Sequence, residues 1–169
     1  MSCNLPLYYK NHPLKYVVPV LFCFLLLGSC IKSDLFEKNA TIPGQEWEYS
    51  FKPAIQFDIT DTVSSYNIYI VVRHTDAFRY NNLWIRIKSS APGDSATTTQ
   101  QFDLPLASQN RWTGSGMDDI YEHRILLYRS PVKFFKPGQY KVSIEQVMRE
   151  NPLQHILNVG LRLEKVKST

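Results

Sequence analysis

The sequence is poor in cysteine and glycine, and it lacks any long apolar run that could serve as a permanent membrane span. It has three cysteines, at positions 3, 23 and 30. If the first 29 residues are removed, Cys30 alone remains and no disulfide can form within one molecule, so the domain must be held by its core. Seven glycines leave little room for a phosphate-cradling loop, and no G-x-S-x-G or Cys/His nucleophile pairing is present. The longest apolar stretch, residues 16–27, is about 12 residues with Pro19 inside it, whereas crossing hydrocarbon takes roughly 20. Charge is modest: the net +4 falls to +2 when Lys10 and Lys15 leave with the leader, and no Lys/Arg cluster tracks a phosphate backbone, which argues against a nucleic-acid partner.

What is present at the N-terminus is the pattern of a signal peptide: Lys10, His12 and Lys15, then the apolar run, then Leu27-Gly28-Ser29-Cys30. The last four residues resemble the bacterial lipobox. Leu27, Gly28 and Ser29 fit its apolar and small positions for signal-peptidase recognition. The resemblance implies that Cys30 takes diacylglycerol on its thiol and, after cleavage, an N-acyl chain. Each buried methylene adds about 0.8 kcal/mol, so two or three chains hold a protein to a membrane essentially permanently. The expected organisation is a leader over 1–29, a lipidated N-terminus and tether over 30–44, and one domain over 45–169; about 140 residues suffice for a core.

Beyond the tether, apolar residues recur at period two, and no helical spacing is sustained. The clearest strand is 66–73, where Tyr66, Ile68, Ile70 and Val72 alternate with Asn67, Tyr69, Val71 and Arg73. Further strands are expected at 47–52, 55–59, 83–88, 100–104, 122–128, 138–148 and 155–165, separated by turn residues such as Pro92-Gly93-Asp94 and Pro137-Gly138. In the last strand, Leu157, Val159, Leu161 and Leu163 should face the core. Pro152 cannot donate to a ladder, so the connection before that strand lies there. About eight such strands predict an all-β, antiparallel sandwich.

The run Asp118-Asp119-Ile120-Tyr121-Glu122-His123 gathers three carboxylates and an imidazole, but at no specific metal-ligand spacing. On a strand, Asp119, Tyr121 and His123 would share one face and Ile120, Glu122 and Arg124 the other, which splits any ligand set. His74 with Asp76, and His155, have no nucleophile beside them in sequence. Neither a catalytic nor a metal site is expected, and no cofactor beyond the covalent lipid. The aromatic content is more unusual: Trp47, Tyr49, Phe51, Tyr80, Trp84, Trp112, Tyr121, Tyr128, Phe134 and Phe135 serve as core, as a partner surface, or as a platform for stacking sugars. Of Phe134 and Phe135, adjacent in sequence, one should be exposed, beside Lys133 and Lys136.

The chain resembles the gliding-motility lipoproteins called GldH. The likeness rests on the lipobox ending in Cys30, on Tyr66-Asn67-Ile68-Tyr69 with Arg73-His74-Thr75 and Tyr80-Asn81-Asn82-Leu83-Trp84, on Arg111-Trp112-Thr113-Gly114-Ser115-Gly116, and on Gln146-Val147-Met148-Arg149 leading to Val159-Gly160-Leu161-Arg162-Leu163-Glu164-Lys165. The resemblance implies a non-catalytic envelope lipoprotein, palmitate-bearing and membrane-held, that assembles or stabilises the gliding and type IX secretion machinery with other envelope lipoproteins. Ile31-Lys32 lacks the aspartate after cysteine that retains lipoproteins in some inner membranes, which favours the outer membrane. Physically, Gly114 and Gly116 read as a tight connection at positive φ, with Trp112 over a sheet edge. Trp84, Arg111, Trp112, Phe134 and Phe135 are the candidate partner-binding residues. The alternative is a surface glycan-binding lipoprotein with Trp47, Trp84 and Trp112 as its platform.

Overall fold

Period-two alternation becomes, in a computed structural model that describes residues 35–166, fourteen strands among the described residues with no α-helix. In chain order these are β1 (Leu35–Thr41), β2 (Glu46–Trp47), β3 (Ala54–Ile59), β4 (Ser65–Thr75), β5 (Asn82–Ser90), β6 (Thr98–Pro105), β7 (Ala107–Ser108), β8 (Arg111–Trp112), β9 (Ser115–Met117), β10 (Ile120–Leu126), β11 (Val132–Lys133), β12 (Gly138–Gln146), β13 (Leu153–Gln154) and β14 (Ile156–Lys165). Eight of them reach six residues or more; the additional strands are short pairings at the sandwich ends. The leader, its Leu27, Gly28 and Ser29, and Cys30 lie outside the described residues.

Two antiparallel sheets carry the long strands. The larger runs β1-β14-β4-β10-β9, with β11 joining β4 beyond the end of β10; the smaller runs β3-β12-β5-β6. Every apolar position of β3 that alternates inward (Ile55, Phe57, Ile59) is buried, as are Leu83, Ile85 and Ile87 of β5 and Val142 and Ile144 of β12. They meet Ile70 and Val72 of β4 and Val159, Leu161 and Leu163 of β14 in one cluster between the sheets. Fully burying each such side chain stabilises by about 1.5–3 kcal/mol.

Four local expectations need correction. Residues 35–41, expected as tether, form a strand paired along its whole length with β14, from Leu35 opposite Glu164 to Thr41 opposite Asn158. Its inward set mixes Phe36 with Lys38 and Ala40, so the alternation is too weak to read from sequence. The expected strand at 47–52 shrinks to Glu46–Trp47, because the buried Trp47 indole N–H donates to the Phe51 carbonyl at 2.9 Å and the chain turns between them. In β14 a bulge between Ile156 and Asn158 turns Ile156 into the core and leaves Leu157 half-buried. Gly114 and Gly116 do not adopt positive φ; both are sites of close approach instead.

The register defines two ends of the sandwich. At the near end, where β1 begins, Leu35 lies beside the last residues of β14, and the loops 60–64, 91–97 and 127–137 gather there. The far end holds the end of β4, the start of β10, the β7–β8 hairpin and the connections 76–81 and 147–155.

Candidate functional site

At the far end, β4 and β10 bring two histidines distant in sequence onto the inner face. His74 and His123 lie in stacked rings 5.0 Å apart, with Nε2 to Nε2 at 2.9 Å. The His74 Nδ1 lies 2.8 Å from the Thr75 carbonyl oxygen, which can only accept. Neutral His74 therefore carries its proton on Nδ1, accepts at Nε2, and receives the N–H of His123 there. Trp112 packs edge-on against His74 at 4.5 Å, with Phe78 and Tyr121 completing the enclosure. Burial pushes the His123 imidazole down to about 4, helped by the repulsion it would meet from a protonated His74. Burial also lowers His74, against the opposing pull of the Thr75 carbonyl and Asp76.

The loop geometry follows from this pair. A Cβ on Gly114 would come within 2.5 Å of the Glu122 carbonyl oxygen and 2.9 Å of the His123 ring, so only glycine fits over β10. Gly116 lies similarly under the Tyr121 ring. The Trp112 indole N–H donates to the Asp76 carboxylate at 2.9 Å, and the Asp76 amide donates to the Asp119 carbonyl at 2.7 Å. The acidic run is thus a turn entering a strand: Asp118 sits at φ 54°, and Glu122 points to the outer face, paired with Arg73 and with Arg124 at 2.7 Å. Among the described residues, no group of three or more His, Cys, Asp or Glu side chains is arranged to hold a metal. The two imidazoles bond to each other rather than to a nucleophile.

Around the corner of the same end is a cleft of about 450 Å³ lined by Tyr80, Trp84, Gln101, Val147, Met148 and Arg149. Trp84, on the outer face of β5, is 39% exposed. The walls are fixed. The Trp84 amide donates to the Met148 sulfur at 3.2 Å, and the Val147 amide donates to the Trp84 carbonyl at 3.0 Å. Gln146 ties the connection from below, accepting from the Met148 amide and donating to the carbonyls of Trp47 and Glu150. Tyr80 donates to Glu150, which also pairs with Arg79. An exposed indole, a phenol, a thioether and a guanidinium around a rigid depression are the side-chain types that dominate protein-binding hot spots.

The five candidate partner-binding residues do not form one surface. Trp84, Arg111 and Trp112 lie at the far end, with Arg111 exposed and Trp112 half-buried. Phe134 and Phe135 lie at the near end: Phe134 packs on Phe57, Tyr66 and Tyr140, while Phe135 is 81% exposed. Eight residue steps along β4 separate Tyr66 from His74, about 26 Å of strand. Nor do the three tryptophans gather on one face, since Trp47 is in the core. Tyr80, one of the aromatic candidates, lines the cleft with Met148 and Arg149, which the sequence offers only within the GldH-like segment Gln146-Val147-Met148-Arg149.

A family model described as GldH lipoprotein matches residues 34–163. The chain belongs to the GldH lipoprotein family. Two curated relatives agree: "Gliding motility lipoprotein GldH homolog" of Christiangramia forsetii is 31% identical over 153 residues, covering 86% of this chain and 92% of the relative. "Gliding motility lipoprotein GldH" of Flavobacterium johnsoniae is 28% identical over 154 residues, covering 86% of this chain and 94% of the relative. Four of the GldH-like segments quoted from the sequence, Arg73-His74-Thr75, Tyr80-Asn81-Asn82-Leu83-Trp84, Arg111 to Gly116 and Gln146-Val147-Met148-Arg149, meet at the far end, while Tyr66 to Tyr69 and the end of the segment Val159 to Lys165 pair toward the near end.

Proposed function

We propose that this chain is a non-catalytic envelope lipoprotein of the gliding apparatus, anchored through Cys30 and holding a protein partner in the cleft at the far end. The observation that carries the reading is the convergence of four separate segments on one end, where Trp84, Tyr80, Met148 and Arg149 surround a rigid depression. The anchor leads into the opposite end, so the cleft is presented away from the attachment point. Membership of the family and the names of its relatives support a part in gliding. Within that reading, the anchor is in the outer membrane and the partners are other gliding and type IX secretion lipoproteins, with assembly or stabilisation as the role.

The test is recovery of the lipidated protein from envelope extracts in gentle detergent, in wild-type form and as Trp84→Ala/Arg149→Ala. Wild type should bring down motility or secretion lipoproteins and the double variant should lose them. Equal recovery by both variants would remove the cleft from the account, and wild type recovered alone would remove the partner.

A further inference from the structure

The near end carries two exposed apolar side chains on loops from different parts of the chain: Val63, 82% exposed in the loop 60–64, and Phe135, 81% exposed in the segment 127–137. Neither side chain belongs to the core cluster, whereas Phe134 and Tyr66 pack against it. The loops around them are more basic than acidic, with Arg129, Lys133 and Lys136 against Asp61 and Asp94. The two carboxylates of these loops are occupied, Asp61 by Lys165 at 2.6 Å and Asp94 by Lys136 at 2.5 Å. Arg129 and Lys133 make no ion pair among the described residues.

The far end has the opposite character. Its connections hold Glu46, Glu48, Asp76, Asp118, Asp119 and Glu150 against Lys52, Arg79, Arg111 and Arg149. The molecule is therefore electrically polarised along its strands, with cations and apolar tips at the end where the chain arrives from Cys30. Only four residues lie between Cys30 and Leu35, a reach over the five steps of at most about 17 Å when fully extended. That leash is shorter than the strands of the larger sheet, so one part of this domain always lies within reach of the surface holding the lipid.

We infer that the near end is a membrane-resting face: Val63 and Phe135 insert at the headgroup boundary of a lipid surface bearing anionic headgroups, with Arg129 and Lys133 over the phosphates. This rests on acylation of Cys30 as proposed above. A lipid chain supplies the hold, and the loop contacts set the orientation, because apolar side chains favour the acyl boundary and basic side chains favour an anionic surface. The acidic far end is then turned away from the bilayer.

Removal of the leader and acylation of Cys30 leave no free thiol, so an introduced cysteine can be labelled alone. The lipidated full-length mature protein would be reconstituted in phosphatidylethanolamine–phosphatidylglycerol vesicles carrying brominated acyl chains. A polarity-sensitive fluorophore would be attached in turn at Phe135→Cys, Val63→Cys and, as the far-end reference, Met117→Cys, whose native side chain is 75% exposed. Labels at 135 and 63 should shift to the blue and be quenched several-fold more strongly than the label at 117. Equal quenching at all three sites, with the acyl mass present on Cys30, would overturn this inference and leave the anchor intact. Shielding at 135 without quenching would mean that protein, such as a second copy, covers the end, and would also overturn it. Absence of the acyl mass would overturn the anchor and this inference together.

Discussion

Acid should loosen this fold well before its carboxylates titrate, because the His74–His123 pair is buried neutral. An unfolded histidine titrates near 6.5, whereas His123 is held down at about 4 by burial and by His74. Its folded pKa lies below its unfolded one, so the unfolded state takes up the proton first as pH falls. The stabilisation is complete above about 6.5 and is lost as pH drops toward 4. Between pH 7.5 and 5, His123 alone should cost about 2 kcal/mol, on a slope near 1.4 kcal/mol per pH unit. His74 shifts in the same direction and adds to the loss. For a domain of this size the loss corresponds to a fall in Tm of about 8 °C. Glu37 and Glu145 do not confuse the window. Burial would raise both, but Arg162 and Asn39 around Glu37, and Lys88 and Lys52 around Glu145, outweigh it. Being lowered, they give up their stabilisation only below about pH 4.5. The assay is thermal melting by circular dichroism from pH 7.5 to 5, on wild type and on His74→Phe/His123→Leu, which keeps an aromatic ring against Trp112. A flat wild-type profile, or an undiminished slope in the double variant, would refute the reasoning.

Other consequences are as direct. A Cβ on Gly160 would meet Asn39 Oδ1 at 1.8 Å and the Lys38 carbonyl oxygen at 2.6 Å, so Gly160→Ala should push β1 off β14 and cost about 1–3 kcal/mol in urea unfolding. Amide exchange in β1 should accelerate more than in β12, which lies in the other sheet. Trp47→Ala removes a fully buried indole and its bond to Phe51, and should cost about 3–5 kcal/mol by the same measurement.

Much of the sandwich was legible because burial on one face leaves a mark in sequence. In β3, β5 and β12 the buried inward residues are mostly Ile, Phe, Leu and Val while the outward ones, Ala54 and Trp84 apart, are charged or polar, and the expected strands there lie within the observed ones or overrun them by a residue or two. β1 left no such mark, because an edge strand with Lys38 on its inner side buries little. Trp47, Tyr49 and Phe51 alternate like a strand yet form a turn, since the hydrogen bond from Trp47 to Phe51 is local and invisible to periodicity. The split of Tyr121 and His123 from Glu122 and Arg124 followed from strand geometry alone. The meeting of His74 with His123 did not, because it depends on the register of β4 against β10, 49 residues apart. The cleft was hidden for the same reason: Trp84 on β5 and Met148, just past the end of β12, meet only in the folded sheet. Gly114 was recognised as special, but the cause was the approach of a carbonyl and an imidazole rather than φ.

The central claim is that an anchor at one end and a cleft at the other serve gliding. It is tested most directly by deleting the gene and complementing with wild type, Cys30→Ala and Trp84→Ala/Arg149→Ala, scoring colony spreading and export of a type IX cargo protein. The account predicts that wild type restores both while neither variant does, although the cleft variant still accumulates in the envelope. Full restoration by Cys30→Ala, or spreading and export that survive the deletion, would contradict it.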